Sequence, residues 1–158
     1  MRTAEAVDLL SPNGERALLD RVTDVACGAT VELGPSTLAE PAALADLTVL
    51  FRGTREDGVL FELRSTYARH LVLVTAPPDT AFDASRLFLA FDLGVWLDSA
   101  GIPDLTPVGG AIAVDASHEP AALAAFDAAS AHAVALYFDA NGDGQLTDAE
   151  LTPVAIPE

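Results

Sequence analysis

The sequence predicts a mainly β fold, an antiparallel β-sandwich or barrel that is followed by a helix near the C-terminus. Two observations in the first 115 residues predict the sheets. Short runs of β-branched and aromatic residues recur there, and Gly, Pro, Asp and Asn separate them at a spacing typical of all-β domains. A third observation predicts the helix, because the stretch after residue 116 is rich in alanine, the best helix former.

Length and composition predict one domain over residues 1–158. Of the 158 residues, 51% are hydrophobic, which is enough for one sizeable core. Residues 1–115 would form the β body, and residues 116–158 the helix and a final loop. Two separate domains would be cramped at this length.

Charge and hydropathy exclude two classes of partner. There are 24 acidic and 8 basic residues, all of the latter Arg, and a net charge of −16 repels phosphate backbones, so we expect no nucleic acid partner. No apolar run approaches the ~20 residues that cross a bilayer.

The start of the chain lacks the pattern of a signal peptide. The chain is therefore extracytoplasmic (periplasmic, cell-surface or secreted) if a signal was removed, and cytoplasmic if Met1 is the native start.

The N-terminal third is predicted as short strands joined by turns and one long connection. The predicted strands are 4–10, 15–20, 22–26 and 30–33, and the connection is 36–45. For residues 15–20, a short helix fits the sequence almost as well as a strand. Cys27 is the only cysteine, so no internal disulfide forms, and its apolar neighbours predict a buried, inert thiol.

The clearest pattern is a meander of residues 47–53, 58–65 and 69–75. Apolar and polar residues alternate in the second segment, so one of its faces is apolar and the other wet. The short connection 54–57 predicts antiparallel pairing of the first two segments.

Further elements follow at shorter intervals. Residues 86–93 and 111–115 are predicted strands, and 95–100 is a short helix stopped by Gly101 and Pro103. Trp96, the only tryptophan, has apolar neighbours and is predicted to fill the core.

The alanine-rich stretch is predicted as one helix from Glu119 to Tyr137. Ser117 is the expected cap, and Pro120 lies near the first turn. The alternative is a helix that ends near Ala131, followed by a strand over 133–138.

The last motif is Asp139-Ala140-Asn141-Gly142-Asp143-Gly144-Gln145-Leu146-Thr147-Asp148-Ala149-Glu150. Oxygen-bearing side chains recur at every second position, as a hard cation of calcium's size requires. Thr147 and Glu150 also form a Thr-x-x-Glu capping box, and Pro153 limits the exiting turn.

This loop resembles an EF-hand calcium loop. The resemblance implies one Ca²⁺ held by side-chain oxygens of Asp139, Asn141 and Asp143, by the carbonyl of Gln145, by the hydroxyl of Thr147 or a bridging water, and by both oxygens of Glu150. Gly144 occupies the sharp turn. The chain departs from the family in its short exiting helix and its single loop, since family members usually pair two loops through the position of Leu146. Cooperative binding is therefore not expected.

The body resembles secreted bacterial lipoprotein-type β-sandwich domains of unassigned function. The resemblance depends on the segment 91–97, Phe-Asp-Leu-Gly-Val-Trp-Leu, together with the terminal loop. It implies an extracytoplasmic place and does not suggest any particular activity.

Nothing in the sequence favours catalysis. His70, His118 and His132 lack the spacing that places two imidazoles on one helix face, and there is no phosphate loop, dinucleotide fingerprint or Gly-x-Ser-x-Gly. No small-molecule substrate is evident.

We therefore expect a non-enzymatic extracytoplasmic structural or interaction domain in which one calcium ion orders the C-terminal segment. Without the ion, repulsion among Asp139, Asp143 and Glu150 should loosen the tail. Glu150→Gln should then lower the melting temperature only when calcium is present. The alternatives are a subunit of a larger surface assembly, which leaves a protein partner open, and a cytosolic calcium sensor.

Overall fold

The computed structural model describes residues 25–36, 42–77, 80–143 and 147–157. The predicted strands 4–10 and 15–20, part of 22–26, part of the connection 36–45, and Gln145 with its two neighbours lie outside the described residues.

The described chain is mainly β, as predicted. Two α-helices are present among the described residues, α1 (Leu93–Ser99) and α2 (Pro120–Ala129). Short 3-10 helices cover Ala42–Leu44, Ala84–Arg86, Ile102–Asp104 and Asp148–Glu150. The strands are β1 (Val25–Ala26), β2 (Gly28–Leu33), β3 (Val49–Thr54), β4 (Leu60–Ser65), β5 (Arg69–Thr75), β6 (Phe82–Asp83), β7 (Leu87–Phe91), β8 (Ala111–Val114), β9 (Val134–Phe138) and β10 (Ala155–Pro157).

The chain divides into two compact units whose segments interleave along the sequence. Of the described residues, 25–32, 70–92 and 131–157 form the first unit, and 33–36, 42–69 and 93–130 form the second. The terminal loop belongs to the first unit, whereas α2 belongs to the second.

The first unit is built on a five-stranded sheet in the order β2-β5-β10-β9-β7. The pairs β5–β10, β10–β9 and β9–β7 are antiparallel. Ala155 of β10 lies between Thr75 and Leu136 in this sheet. One face carries the buried side chains Leu71, Leu73, Val134, Leu136 and Ala155. A separate two-stranded sheet pairs β1 with β6.

The second unit is built on the three-stranded sheet β3-β4-β8 and the helices α1 and α2. The antiparallel pair β3–β4 runs from Val49 opposite Ser65 to Thr54 opposite Leu60, which confirms the predicted hairpin. β8 pairs with β4 in parallel. The third predicted meander strand is formed as β5 but lies in the first unit's sheet. Its alternating pattern identifies a strand and not the strand's neighbour.

Aromatic residues fill the core of the second unit. Trp96 is 2% exposed, as predicted, and lies among Phe51 and Phe126. Leu63 of β4 and Val114 of β8, which belong to the same sheet as Phe51, are also fully buried.

The predicted helix over Glu119 to Tyr137 is wrong, and the alternative describes the chain. The helix ends at Ala129, and β9 enters the terminal loop instead. Every residue of β9 pairs with a residue of β7, and this ladder outweighs helical propensity in a segment with β-branched and aromatic residues.

Ser117 is not the cap of α2. The side chain of Asp115 accepts the backbone N–H groups of Ser117 and His118, which turns the chain before the helix. Glu119 takes the cap position with φ of +54°, and Pro120 is the first helical residue.

Cys27 is exposed, so the predicted buried thiol is also wrong. It lies at the bend between β1 and β2, where the chain passes from one sheet to another. In the described part of the chain, no helix is long and apolar enough to cross a membrane.

Candidate metal-binding loop

The terminal loop connects two neighbouring antiparallel strands, β9 and β10. The Val154 N–H donates to the Leu136 carbonyl at 2.8 Å, so the two strands already pair where the loop returns to the sheet. The loop is therefore a long hairpin connection, and both of its flanks belong to one sheet.

The first part of the loop folds on its own side chains. Asp139 is buried, and its carboxylate accepts the Gly142 N–H. The Asp143 N–H donates to the Asn141 side-chain oxygen at 2.8 Å, and the Asn141 amide group donates to the Asp143 carboxylate at 3.0 Å. Gly142 has φ of +77°, a conformation that favours glycine. Three predicted ligands thus lie within one turn.

The last part of the loop brings Glu150 back to the first residues of the loop. The predicted capping box of Thr147 and Glu150 is present at the turn Asp148–Glu150. Glu150 Oε1 accepts the N–H groups of Ala140 at 2.7 Å and Asn141 at 3.2 Å. Its Oε2 accepts the Thr147 N–H at 3.0 Å and the Thr147 hydroxyl at 2.6 Å. Two regions that are ten residues apart in sequence are joined by one carboxylate.

These donors hold Glu150 in its charged form. The Thr147 hydroxyl, followed by the Thr147 amide, lowers the pKa of Glu150 to about 2, assisted by the amides of Asn141 and Ala140 and opposed by burial. Glu150 is 8% exposed.

Arg86 contacts the loop, and sequence analysis did not predict this contact. Its guanidinium lies 4.8 Å from the centroid of the Phe138 ring, and its Nη2 donates to the Ala140 carbonyl. Its own carbonyl accepts the Asp139 N–H at 2.9 Å. Arg86 precedes β7, which pairs with β9, so the sheet brings it to the loop. No local signal in the sequence could have found a residue 54 positions away.

The predicted ligands that the structure describes carry the kind of atom that calcium prefers, but their side chains are only partly oriented for binding it. Asp139, Asn141, Asp143, Thr147 and Glu150 all carry oxygen, the ligand that calcium prefers. However, among the residues that the structure describes, no three His, Cys, Asp or Glu side chains form a group that could hold a metal. The expected convergence of three carboxylates is therefore not observed, because Glu150 is turned toward N–H and O–H donors.

Comparison with models of protein families, with curated proteins and with solved structures finds no match to this chain.

A second concave region lies in the second unit. It is a groove of about 770 Å³ whose lining includes Leu60, Phe61, Ile112 and His118. His118 Nδ1 lies 3.0 Å from Asp115 Oδ1. Burial raises the pKa of Asp115, but the amides of Ser117 and His118 and the His118 imidazole together bring it below its usual value. An oriented imidazole alone does not define a reaction, because general base catalysis needs a reacting group within reach.

The other two histidines are exposed. The imidazole of His70 is 59% exposed and lies 3.5 Å from the Glu32 carboxylate. His132 is exposed.

Proposed function

We propose that the chain is a non-enzymatic, extracytoplasmic calcium-binding domain in which one Ca²⁺ fastens the terminal loop between β9 and β10. The β-sandwich or barrel arrangement of the body, the secreted type of domain that it resembles and the EF-hand character of the loop are parts of this proposal. Asp139, Asn141, Asp143, Thr147 and Glu150 would hold the ion, with Gln145 contributing its carbonyl.

The observation that supports the proposal most is the closure of the loop. The carboxylate of Glu150, the last predicted ligand, accepts the backbone N–H groups of Ala140 and Asn141, so it lies beside the first part of the loop. A calcium loop must bring its first and last parts together before it can surround an ion.

The flanking strands favour a structural role over that of a sensor. Sensor EF-hands respond to calcium by changing the angle between two helices. Here the flanks are hydrogen-bonded neighbours in one sheet, so an ion would fix a hairpin connection and expose no new apolar groove.

Calorimetry on the whole chain tests the proposal. A lone loop of this kind should bind one Ca²⁺ with a Kd of ~10⁻⁴ to 10⁻³ M. With a Kd of ~10⁻³ M, ~10 mM calcium should stabilise the fold by about 1.4 kcal/mol. Asp143→Asn should weaken binding by about tenfold or more, since the loop loses a charged ligand.

Asp148→Asn is the matched control, because Asp148 lies in the same loop and outside the proposed ligand set. It removes one negative charge and should change the Kd little. A wild-type protein that shows neither heat of binding nor a rise in melting temperature at ~10 mM calcium would refute the proposal.

The role of a subunit in a larger surface assembly is favoured by one observation. On the face of the five-stranded sheet opposite Leu71 and Leu73, Val72 is 43% and Ile156 is 53% exposed. Ile156 lines a depression together with Ala135 and Tyr137. Contiguous exposed apolar patches larger than roughly 400 Å² mark association sites, and Val72 and Ile156 would belong to such a patch. Light scattering with calcium and with chelator separates the two roles. The mass of the particle should depend on calcium if the chain is an assembly subunit, and should not if calcium only fastens the terminal loop.

A further inference from the structure

Glu150 has two roles that exclude each other. A carboxylate offers about four lone-pair positions to hydrogen-bond donors. Within the described residues, four donors reach these positions: the amides of Ala140, Asn141 and Thr147 and the hydroxyl of Thr147. Bidentate coordination of a cation would need the same two oxygens.

We infer that the hydrogen bonds to Glu150 compete with the cation. Without metal, the Glu150 carboxylate holds the loop closed through its four hydrogen bonds, which we call the clasp, and Ca²⁺ takes both oxygens only when the clasp opens. The calcium part of this inference rests on the proposed function, whereas the clasp is a property of the metal-free chain.

The clasp changes what calcium removal should do. Repulsion between carboxylates was expected to loosen the tail, but Glu150 is surrounded by donors, and the Asp139 and Asp143 carboxylates also accept bonds within the loop. The loop should therefore stay closed in chelator. Glu150→Gln should lower the melting temperature in chelator as well as in calcium, which reverses the expectation from sequence.

The clasp also lowers the affinity for calcium. If the clasped state is favoured by a factor K over the open state, the apparent Kd is the intrinsic Kd multiplied by about 1 + K. Any change that weakens the clasp without removing a ligand should therefore raise the affinity.

Thr147→Val tests which of two roles the Thr147 hydroxyl has, because the same hydroxyl belongs to the clasp and is also a candidate calcium ligand, directly or through a bridging water. The sign of the change in calcium affinity distinguishes the two roles. The substitution keeps the branched shape and the backbone N–H of residue 147 but removes the 2.6 Å hydroxyl bond to Glu150. If that hydroxyl serves the clasp, calcium affinity rises by about three- to tenfold. If it serves as a calcium ligand, affinity falls. Thr147→Ser keeps the hydroxyl and should bind like the wild type.

Amide exchange in chelator tests the clasp without any metal. The N–H groups of Ala140, Asn141 and Thr147 should exchange slowly in the wild type and in Asp148→Asn, and at least about tenfold faster in Glu150→Gln. Fast exchange of these three amides in the wild type would overturn the clasp. Calcium affinity that is unchanged or lowered by Thr147→Val would overturn the competition.

The two proposals fail separately. If the wild type binds no calcium, the proposed function is wrong, and amide exchange in chelator still decides whether the clasp exists. If calcium binds and the three amides are unprotected in chelator, the proposed function stands and the clasp is wrong.

Discussion

The indole of Trp96 lies parallel to the phenyl ring of Phe126, with the ring centroids 5.1 Å apart and the planes 3° apart. The Trp96 Nε1–H donates to the Phe126 carbonyl at 3.2 Å, so the buried indole has a partner for its polar atom. Phe51 meets both rings edge-on, at 6.1 and 5.9 Å. These three aromatic residues form the centre of the second unit.

Phe126→Ala should therefore destabilise the second unit by about 3–5 kcal/mol, because it removes a fully buried ring and leaves a cavity beside Trp96. Trp96 is the chain's only tryptophan, so its fluorescence during urea unfolding reports on this unit. Phe126→Leu is the control and should cost less, since it fills more of the cavity. An unchanged urea midpoint for Phe126→Ala would contradict the assignment of this core.

Gly28 is required by a close approach of backbones in the first unit. A methyl group added at Gly28 would overlap the Leu73 carbonyl oxygen in the neighbouring strand β5. Gly28→Ala should destabilise the fold by about 1–3 kcal/mol, because backbone must shift. Gly34→Ala meets nothing within 4 Å and should be neutral or stabilising by up to about 1 kcal/mol. Equal thermal melting of the two variants would refute this.

Asp127 should give the second unit a stability that depends on pH. Burial raises the pKa of Asp127, opposed by the Ser65 hydroxyl, which donates at 2.6 Å. A raised pKa favours the protonated carboxyl in the folded state. Its stabilising contribution is therefore present at low pH and is lost as pH rises through the folded pKa.

Asp127→Asn keeps an oxygen for Ser65 and removes this dependence. Relative to the wild type, the variant should gain stability as pH rises from ~3 to ~7, measured by denaturant unfolding. Asp98→Asn, at an exposed position of α1, is the control for general charge effects. If both variants follow the same pH profile, burial of Asp127 does not set the dependence.

Arg55 should matter more to stability than Arg52, although both pair with acids. Arg55 Nη1 donates to the carbonyls of Pro103 at 3.0 Å and Leu105 at 2.9 Å, while the same guanidinium pairs with Asp57. Arg52 pairs with Glu62 at an exposed position.

Arg55→Lys should lower the melting temperature by several degrees, because one ammonium cannot replace a planar fork that serves several acceptors. Arg52→Lys should change stability by at most about 1 kcal/mol. Equal melting temperatures for the two variants would contradict the bridging role of Arg55.

Local pattern predicted the strands well and their neighbours less well. Alternation in 47–53 and 58–65, with a short connection, was sufficient for the hairpin of β3 and β4. The same kind of pattern in Arg69–Thr75 gave a strand that lies in the other sheet. Alternation reports on burial of one face, and any strand with a matching face satisfies it.

The helix predicted up to Tyr137 failed for a related reason. Alanine favours a helix wherever packing does not decide, and it does form α2. Beyond Ala129 the ladder between β9 and β7 decides, and pairing with a segment more than forty residues earlier is not visible in local propensity.

The oxygens of the terminal loop could be predicted from sequence, but their hydrogen bonds could not. From the sequence alone, a carboxylate at position 150 could equally bind a cation or accept hydrogen bonds from a set of N–H groups. Only the fold shows that Ala140 and Asn141 bring their amides to it. Arg86 was missed because its contact with the loop depends on the pairing of β7 with β9.

The position of β10 has a consequence for how the first unit is made on a ribosome. This three-residue strand separates β5 from β9 in the middle of the sheet, yet it is synthesised after the other four strands. Among the described residues, β10 is the strand that joins β2 and β5 to β9 and β7 by hydrogen bonds, so this sheet is continuous only after β10 has been added. Whatever closes the connection between β9 and β10, metal or carboxylate, therefore acts at the step that completes the sheet.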